Sequence, residues 1–250
     1  MKRILHTALF ALVMFSAMTS ARAQSFMEMF EGENLSVFHV SVGASGGSLK
    51  NESFDQYIDS YNEVNQSVLK EDFNHFRWVS GYEIGVRWTI MEVGIGGYDG
   101  FKQERVVSPI RSRVMDFKIR YFNALASFPM GKERFVFSIG LQAVRSVFSA
   151  SLLYNNGATS FGKESGLNGN YKGLGANGLL RLEGMIVKTE QHAVGISATF
   201  TGAIAGAGGN WTDNNAAKSG ILVNSVTSTE VKTSFTGWSI GLNYHYSLGK

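Results

Sequence analysis

The chain has 250 residues, with 29 Gly, 18 Phe, 9 Tyr and 4 Trp against 2 Pro, no Cys, and a formal charge of +3. The lack of cysteine excludes a disulfide framework, a Cys-type zinc site and an acylated cysteine. Lys2, Arg3 and Arg22 carry the whole charge excess, so the rest of the chain is neutral, has no basic run and gives no case for nucleic acid.

The first residues read as a targeting segment. Lys2 and Arg3 form a positive start, an apolar stretch follows from Ile4 to Phe15, and Ala21-Arg22-Ala23 supplies small residues for cleavage before Gln24. The apolar stretch is shorter than the ~20 residues a spanning helix needs, and no later run reaches that length. Residues 1–23 are therefore expected to be a signal peptide and 24–34 a polar leader.

From residue 35 to 250 the pattern has a period of two, which places alternate side chains on opposite faces of a strand. The first expected strand, Leu35–Ala44, sets Phe38, Val40, Val42 and Ala44 against His39, Ser41 and Gly43. The second, Phe76–Trp88, opposes Trp78, Tyr82, Ile84, Val86 and Trp88 to Arg77, Gly81, Glu83, Gly85 and Arg87. The third, Met91 to about Lys102, opposes Met91, Val93 and Ile95 to Glu92, Gly94 and Gly96, with a Gly-rich far half that fixes no register. In the fourth, Val114–Phe128, Met115, Phe117, Ile119, Tyr121 and Leu125 are expected outward, and Asp116, Lys118, Arg120 and Ala124 inward. The fifth, Phe135–Phe148, alternates Phe135, Phe137, Ile139 and Leu141 with Ser138, Gly140 and Gln142. The sixth, Leu174–Val187, opposes Leu180, Leu182 and Ile186 to Asn177, Arg181 and Glu183. In the seventh, Ala193–Ala205, Val194, Ile196 and Phe200 oppose Ser197, Thr199 and Thr201. The eighth, Ser234–Leu248, alternates Trp238, Ile240, Leu242, Tyr244, Tyr246 and Leu248 with Ser239, Gly241, Asn243, His245 and Ser247.

Connections alternate in length. Thr89-Ile90, Pro129–Arg134 and Thr189–His192 are short; Ser45–His75, Gln103–Arg113, Ser149–Gly173 and Gly206–Thr233 are long. Short turns at one rim and long loops at the other separate a membrane barrel from a soluble sandwich. The expected fold is thus all-β: an eight-stranded antiparallel transmembrane β-barrel. A ten-stranded barrel using Ile221–Val226 is the alternative.

With its signal segment, eight alternating strands and aromatic-rich last strand, the chain resembles the small bacterial outer-membrane barrels of the outer membrane protein A and X types. It departs from them in running on from Tyr246 through Ser247, Leu248, Gly249 and Lys250. The resemblance implies location in the outer membrane, short turns toward the periplasm, and lipid and the barrel-insertion machinery as partners. It implies little chemistry. An extracellular ligand would be met through loops 45–75, 149–173 and 206–233.

Among the motifs, Gly173-Leu174-Gly175-Ala176-Asn177-Gly178 matches a dinucleotide fingerprint but opens a strand and not a helix, so no cofactor is expected. Asp72, His75 and Asp213 near the loop rim do not assemble a catalytic set, and no catalytic residue is assigned. Phe54, Tyr57, Ile58, Tyr61 and Val64 recur at helical spacing behind a capping box of Ser53 and Gln56, which predicts a helix over 54–65 that packs on the rim or serves as a lid. His39 and His245 fall on neighbouring strands, facing inward. Hydrogen bonding of each is preferred to a shared metal, because two imidazoles without a carboxylate make a poor site. Inward positions carry Glu83, Glu92, Asp116 and Glu183 against Arg87, Lys118, Arg120 and Arg181, a balanced network that plugs a bore just wide enough for side chains. The lipid-facing aromatic belt is expected to include Trp78, Trp88, Phe117, Phe137, Trp238 and Tyr244. A plugged barrel acting through its loops is therefore the expected function, ahead of a channel for ions or apolar solutes and of a barrel enzyme.

Overall fold

The computed structural model describes residues 38–131, 134–157, 159–160, 169–204, 208–213, 221–224 and 226–248. The signal segment and leader lie outside these residues. Eight long strands succeed one another: β1 Phe38–Lys50, β2 Trp78–Trp88, β3 Met91–Ser108, β4 Arg111–Met130, β5 Phe135–Tyr154, β6 Gly169–Lys188, β7 His192–Ala203 and β8 Thr236–Leu248. Each pairs antiparallel with its sequence neighbour, and β8 returns to β1 with Phe38 opposite Leu248 and Lys50 opposite Thr236. The sheet thereby closes into an eight-stranded antiparallel barrel and leaves no long edge unpaired among the described residues.

Outward positions are apolar on every strand in the membrane-facing zone. Ile84, Ile95, Phe122, Leu141, Leu182, Ile196 and Leu242 are all exposed. Trp78, 69% exposed, and Trp88 mark its two ends on β2. The ten residue-to-residue steps from one to the other rise about 33 Å along the chain, or about 25 Å once a tilt of about 40° is allowed, which is the height of an outer-membrane apolar band.

The strands differ from expectation in length and, for one, in facing. β1 runs on to Lys50, and β3 and β4 form a long hairpin whose turn is only residues 109–110. Much of what reads as the loop 103–113 is therefore strand that projects beyond the band. β3 carries a register shift between Asp99 and Phe101, in the Gly-rich half. On β4 the expected facing is reversed: Met115, Phe117, Ile119, Tyr121 and Leu125 are buried inward, while Lys118 and Phe122 are exposed outward. Over Met115 to Ile119 the cause is a change of solvent: above the band the outside is water and the inside a dry core, so the apolar face turns in. Tyr121 and Leu125 share that face and look into the lumen, while Phe122 takes the lipid side. Ile221–Val226 adds no barrel strand; its described residues make isolated bridges, Thr212 with Ile221 and Val223 with Glu230.

One helix, α1 (Glu52–Asn65), comes after β1. Its N-cap is Asn51 and not the expected Ser53: the Asn51 Oδ1 accepts from the Phe54 N–H at 3.0 Å and from the Ser53 hydroxyl at 2.9 Å.

Candidate functional site: a bore closed at two levels

The bore is closed first by a polar crossbar in the membrane zone. Arg181 on β6 donates from Nη1 to Glu92 Oε1 and from Nη2 to Glu83 Oε1, each at 2.6 Å, so one guanidinium spans from β6 to β2 and β3. Remaining carboxylate oxygens are also met: Asn123 Nδ2 donates to Glu83 Oε2 at 2.7 Å and the Ser127 hydroxyl to Glu92 Oε2 at 2.7 Å. A second group lies lower, where Glu183 Oε1 accepts from Asn243 Nδ2 at 2.6 Å and His245 Nε2 at 2.9 Å. Buried ions require this degree of pairing, since breaking one partner of such a pair costs about 3–5 kcal/mol.

Two tyrosines fill the space above the crossbar. Tyr98 and Tyr121 lie with ring centroids 5.2 Å apart. A Cβ on Gly81 would fall 2.6 Å from the Tyr98 ring, and one on Gly96 2.6 Å from the Tyr121 ring, so glycine here makes room for aromatics crossing the lumen. The space left among these groups is a cavity of about 20 Å³ lined by Glu83, Tyr98, Tyr121, Arg181 and Asn243, enough for about one water.

The second closure is an apolar cap at the long-loop rim. Helix α1 turns Phe54, Tyr57, Ile58 and Tyr61 inward, all buried. Phe54 meets Phe117 at 5.3 Å, Phe148 at 5.0 Å edge-on and Trp211 at 6.1 Å between ring centroids. Phe76 and Phe235 complete the cluster around Phe117. The stripe at helical spacing thus buries itself within the barrel mouth, against the inner faces of β4 and β5. Its neighbouring segment is tied down by backbone pairing, with Leu222 N donating to Trp211 O and Val231 N to Leu222 O. Asn51 Nδ2 adds a bond to Lys232 O at 2.7 Å. Burial pushes the Tyr57 and Tyr61 phenols up from the ordinary tyrosine range.

Outside the cap, His75 does not join Asp72. Its Nε2 lies 2.6 Å from Asp59 Oδ1 on α1, and Arg77 Nη2 donates to its Nδ1 at 3.0 Å. Because Nδ1 accepts from Arg77, the ring proton sits on Nε2 and points to Asp59. Arg77 also binds Asp55 at 2.7 Å, so this set fastens α1 to the start of β2. Asp72 offers only its carbonyl, to Arg105 Nε at 2.7 Å, and Asp213 lies opposite Tyr171 in a two-residue pairing beside β6.

Of the eight charged residues expected in the lumen, Glu83, Arg87, Glu92, Arg181 and Glu183 face inward, Glu83 half-buried and the other four buried, and Arg181 joins Glu83 to Glu92. Asp116, Lys118 and Arg120 are corrections. They lie on the outward face of β4 above the band, where Lys118 is 3.4 Å from Asp116 and Arg120 3.0 Å from Asp99. Phe117 likewise leaves the lipid belt for the cap, at 1% exposure, while Trp78, Trp88, Phe137, Trp238 and Tyr244 are exposed on the outer wall. His39 Nδ1 bonds the Ser247 hydroxyl at 2.9 Å and His245 bonds Glu183. Asn123 and Ser127 are lumen partners that the sequence pattern does not announce, although their inward register follows once the facing of β4 is known; Asn243 lies on the expected inward face of β8. The Gly173–Gly178 motif lies within β6.

No family model matches the chain, and no curated protein matches it. Solved structures do. The chain is similar to Ail, the attachment invasion locus protein of Yersinia pestis, at 11% identity over 85% of this chain and 99% of that one, with a TM-score of 0.41. It is similar to Neisserial surface protein A at 10% identity over 84% and 97%, TM-score 0.39, and to the Escherichia coli outer membrane protein W at 13% identity over 83% and 97%, TM-score 0.37. The closed antiparallel barrel of eight strands stands on this chain's own strand pairing.

Proposed function

We propose that this protein is exported to the outer membrane, carries no solute flux, and works through the folded surface at its long-loop end. The observation that carries this reading is the double closure of the bore, by the Arg181 crossbar and by the α1 cap. In this reading the short turns face the periplasm, the outer aromatics sit in lipid, and the last strand engages the insertion machinery. The surface on offer is the outer face of α1, where Glu52, Gln56, Asp59 and Glu63 are exposed, together with the exposed residues 226–230. The hydrogen bonds of His75 support an anchoring part for it under that surface and not a catalytic one.

The test is reconstitution of the detergent-purified protein in a planar bilayer, after heat-modifiable gel migration has shown that the barrel is folded. Little or no steady conductance is expected. A large, stable conductance from the unmutated protein would falsify the plugged barrel and promote the channel reading.

A further inference from the structure

The lower end of the lumen holds a charged group that the crossbar does not use. Arg87, the next-to-last residue of β2, is 6% exposed, and among the described residues its side chain makes no hydrogen bond or ion pair. Every acid within the lumen is committed elsewhere. Glu92, opposite Arg87 in register, accepts from Arg181 and Ser127; Glu83 accepts from Arg181 and Asn123; Glu183 accepts from His245 and Asn243. A guanidinium turned into the lumen without a protein partner is ordinarily met by water or a counter-ion.

The space beside Arg87 carries N–H-bearing side chains. Arg87 lines a cavity of about 20 Å³ at the short-turn mouth, together with His39, His245, Lys188, His192 and Ser247; that volume holds about one water, so an oxyanion would sit in the open mouth with only its leading oxygens in the cavity. Among the described residues the lining contains no carboxylate. Glu183 reaches it only through the His245 ring, and Glu190 stands exposed in the turn between β6 and β7. The planar fork of an arginine matches an oxyanion with two parallel N–H donors, which a point charge does not.

We propose that Arg87 is the anchor of an oxyanion-binding site at the short-turn mouth of the barrel, with His39, His245 and Lys188 around the bound group. The ligand is a small tetrahedral or carboxylate oxyanion. It has two possible sources: a free anion such as inorganic phosphate, or a carboxylate of the chain's own leader, where Glu28, Glu31 and Glu33 precede the strand that begins at this rim.

Inorganic phosphate is titrated into the full mature chain in detergent, with calorimetry and thermal unfolding as the readouts. Saturable binding at one site per chain is expected, with a rise in Tm as phosphate occupies the folded state alone. Arg87→Gln should weaken binding at least about tenfold and abolish the Tm rise, as expected for loss of a charge-assisted pair. Arg87→Lys, which keeps the charge without the fork, should fall between. A protein that binds only after Glu28→Gln, Glu31→Gln and Glu33→Gln, and again through Arg87, has the same site held by its own carboxylate. The proposal fails if neither the wild type nor that triple variant binds phosphate saturably, or if Arg87→Gln binds it equally well. It fails also if Arg87→Gln lowers Tm by the same amount with and without phosphate, which would mark Arg87 as a distant counter-charge to the Glu83–Arg181–Glu92 group.

Discussion

At the scale of single residues, the cap contains one group that works against its own burial. The Tyr57 hydroxyl is buried with no hydrogen-bond partner among the described residues, beneath Phe54 and Phe148. Removing an unsatisfied hydroxyl while keeping the ring recovers a desolvation penalty of about 1–3 kcal/mol. Tyr57→Phe should therefore leave the urea midpoint unchanged or raise it, where Phe54→Ala, which empties a fully buried ring site, should lower stability by about 3–5 kcal/mol. The same burial gives a pH dependence. Desolvation raises the Tyr57 pKa most, with Tyr171 and Tyr61 adding to it. A phenol held neutral in the folded state contributes in full below the unfolded value of about 10 and loses that contribution as the unfolded chain ionises above it. Cap stability should thus be flat to about pH 10 and decline beyond, and the decline should be smaller in Tyr57→Phe when urea midpoints at the two sides are compared.

At the scale of elements, α1 shows why its existence was legible in the sequence and its start was not. Four inward apolar residues at helical spacing announce a buried stripe whatever surrounds it. The cap residue is fixed by its neighbours in space. Asn51 is the junction where β1 ends, and its side chain serves three partners at once: the Phe54 N–H, the Ser53 hydroxyl and, across the mouth, Lys232 O. Asn51→Ala should cost about 1 kcal/mol for the cap and little more across the mouth, because Lys232 O keeps the Trp211 Nε1 donor at 3.0 Å. Gln56→Ala, at the exposed site of the expected capping box, should stay within about 0.5 kcal/mol. Hydrogen exchange of the α1 amides reads both, and an equal effect of the two would restore the Ser53–Gln56 reading. The strands obey the same logic. Their lower halves were legible because lipid demands an apolar outer face at every second position, as on β5 and β8. The upper half of β4 has the same alternation, Met115, Phe117 and Ile119 against Asp116, Lys118 and Arg120, but its solvent is exchanged, and alternation alone does not say which face is wet.

At the scale of the whole molecule, the two closures lie in series along one bore, one apolar and one ionic. Resistances in series are governed by the larger, so opening either level alone leaves the other in control. Arg181→Ala removes the crossbar yet leaves the α1 cluster of Phe54, Phe117, Phe148 and Trp211 across the mouth. Phe54→Ala with Trp211→Ala thins the cap yet leaves Arg181 between Glu83 and Glu92. Conductance near that of the unmutated protein is therefore expected for each of these, and a clear rise only when all three changes are combined. The current should then favour cations, because Glu83 and Glu92 lose their shared counter-charge and line the opened bore with carboxylates. Arg120→Ala, which changes an outward pair with Asp99 above the membrane zone, should not alter conductance in any background. Full conductance from Arg181→Ala alone would mean that ions already pass the cap, and the closure would then rest on the crossbar only.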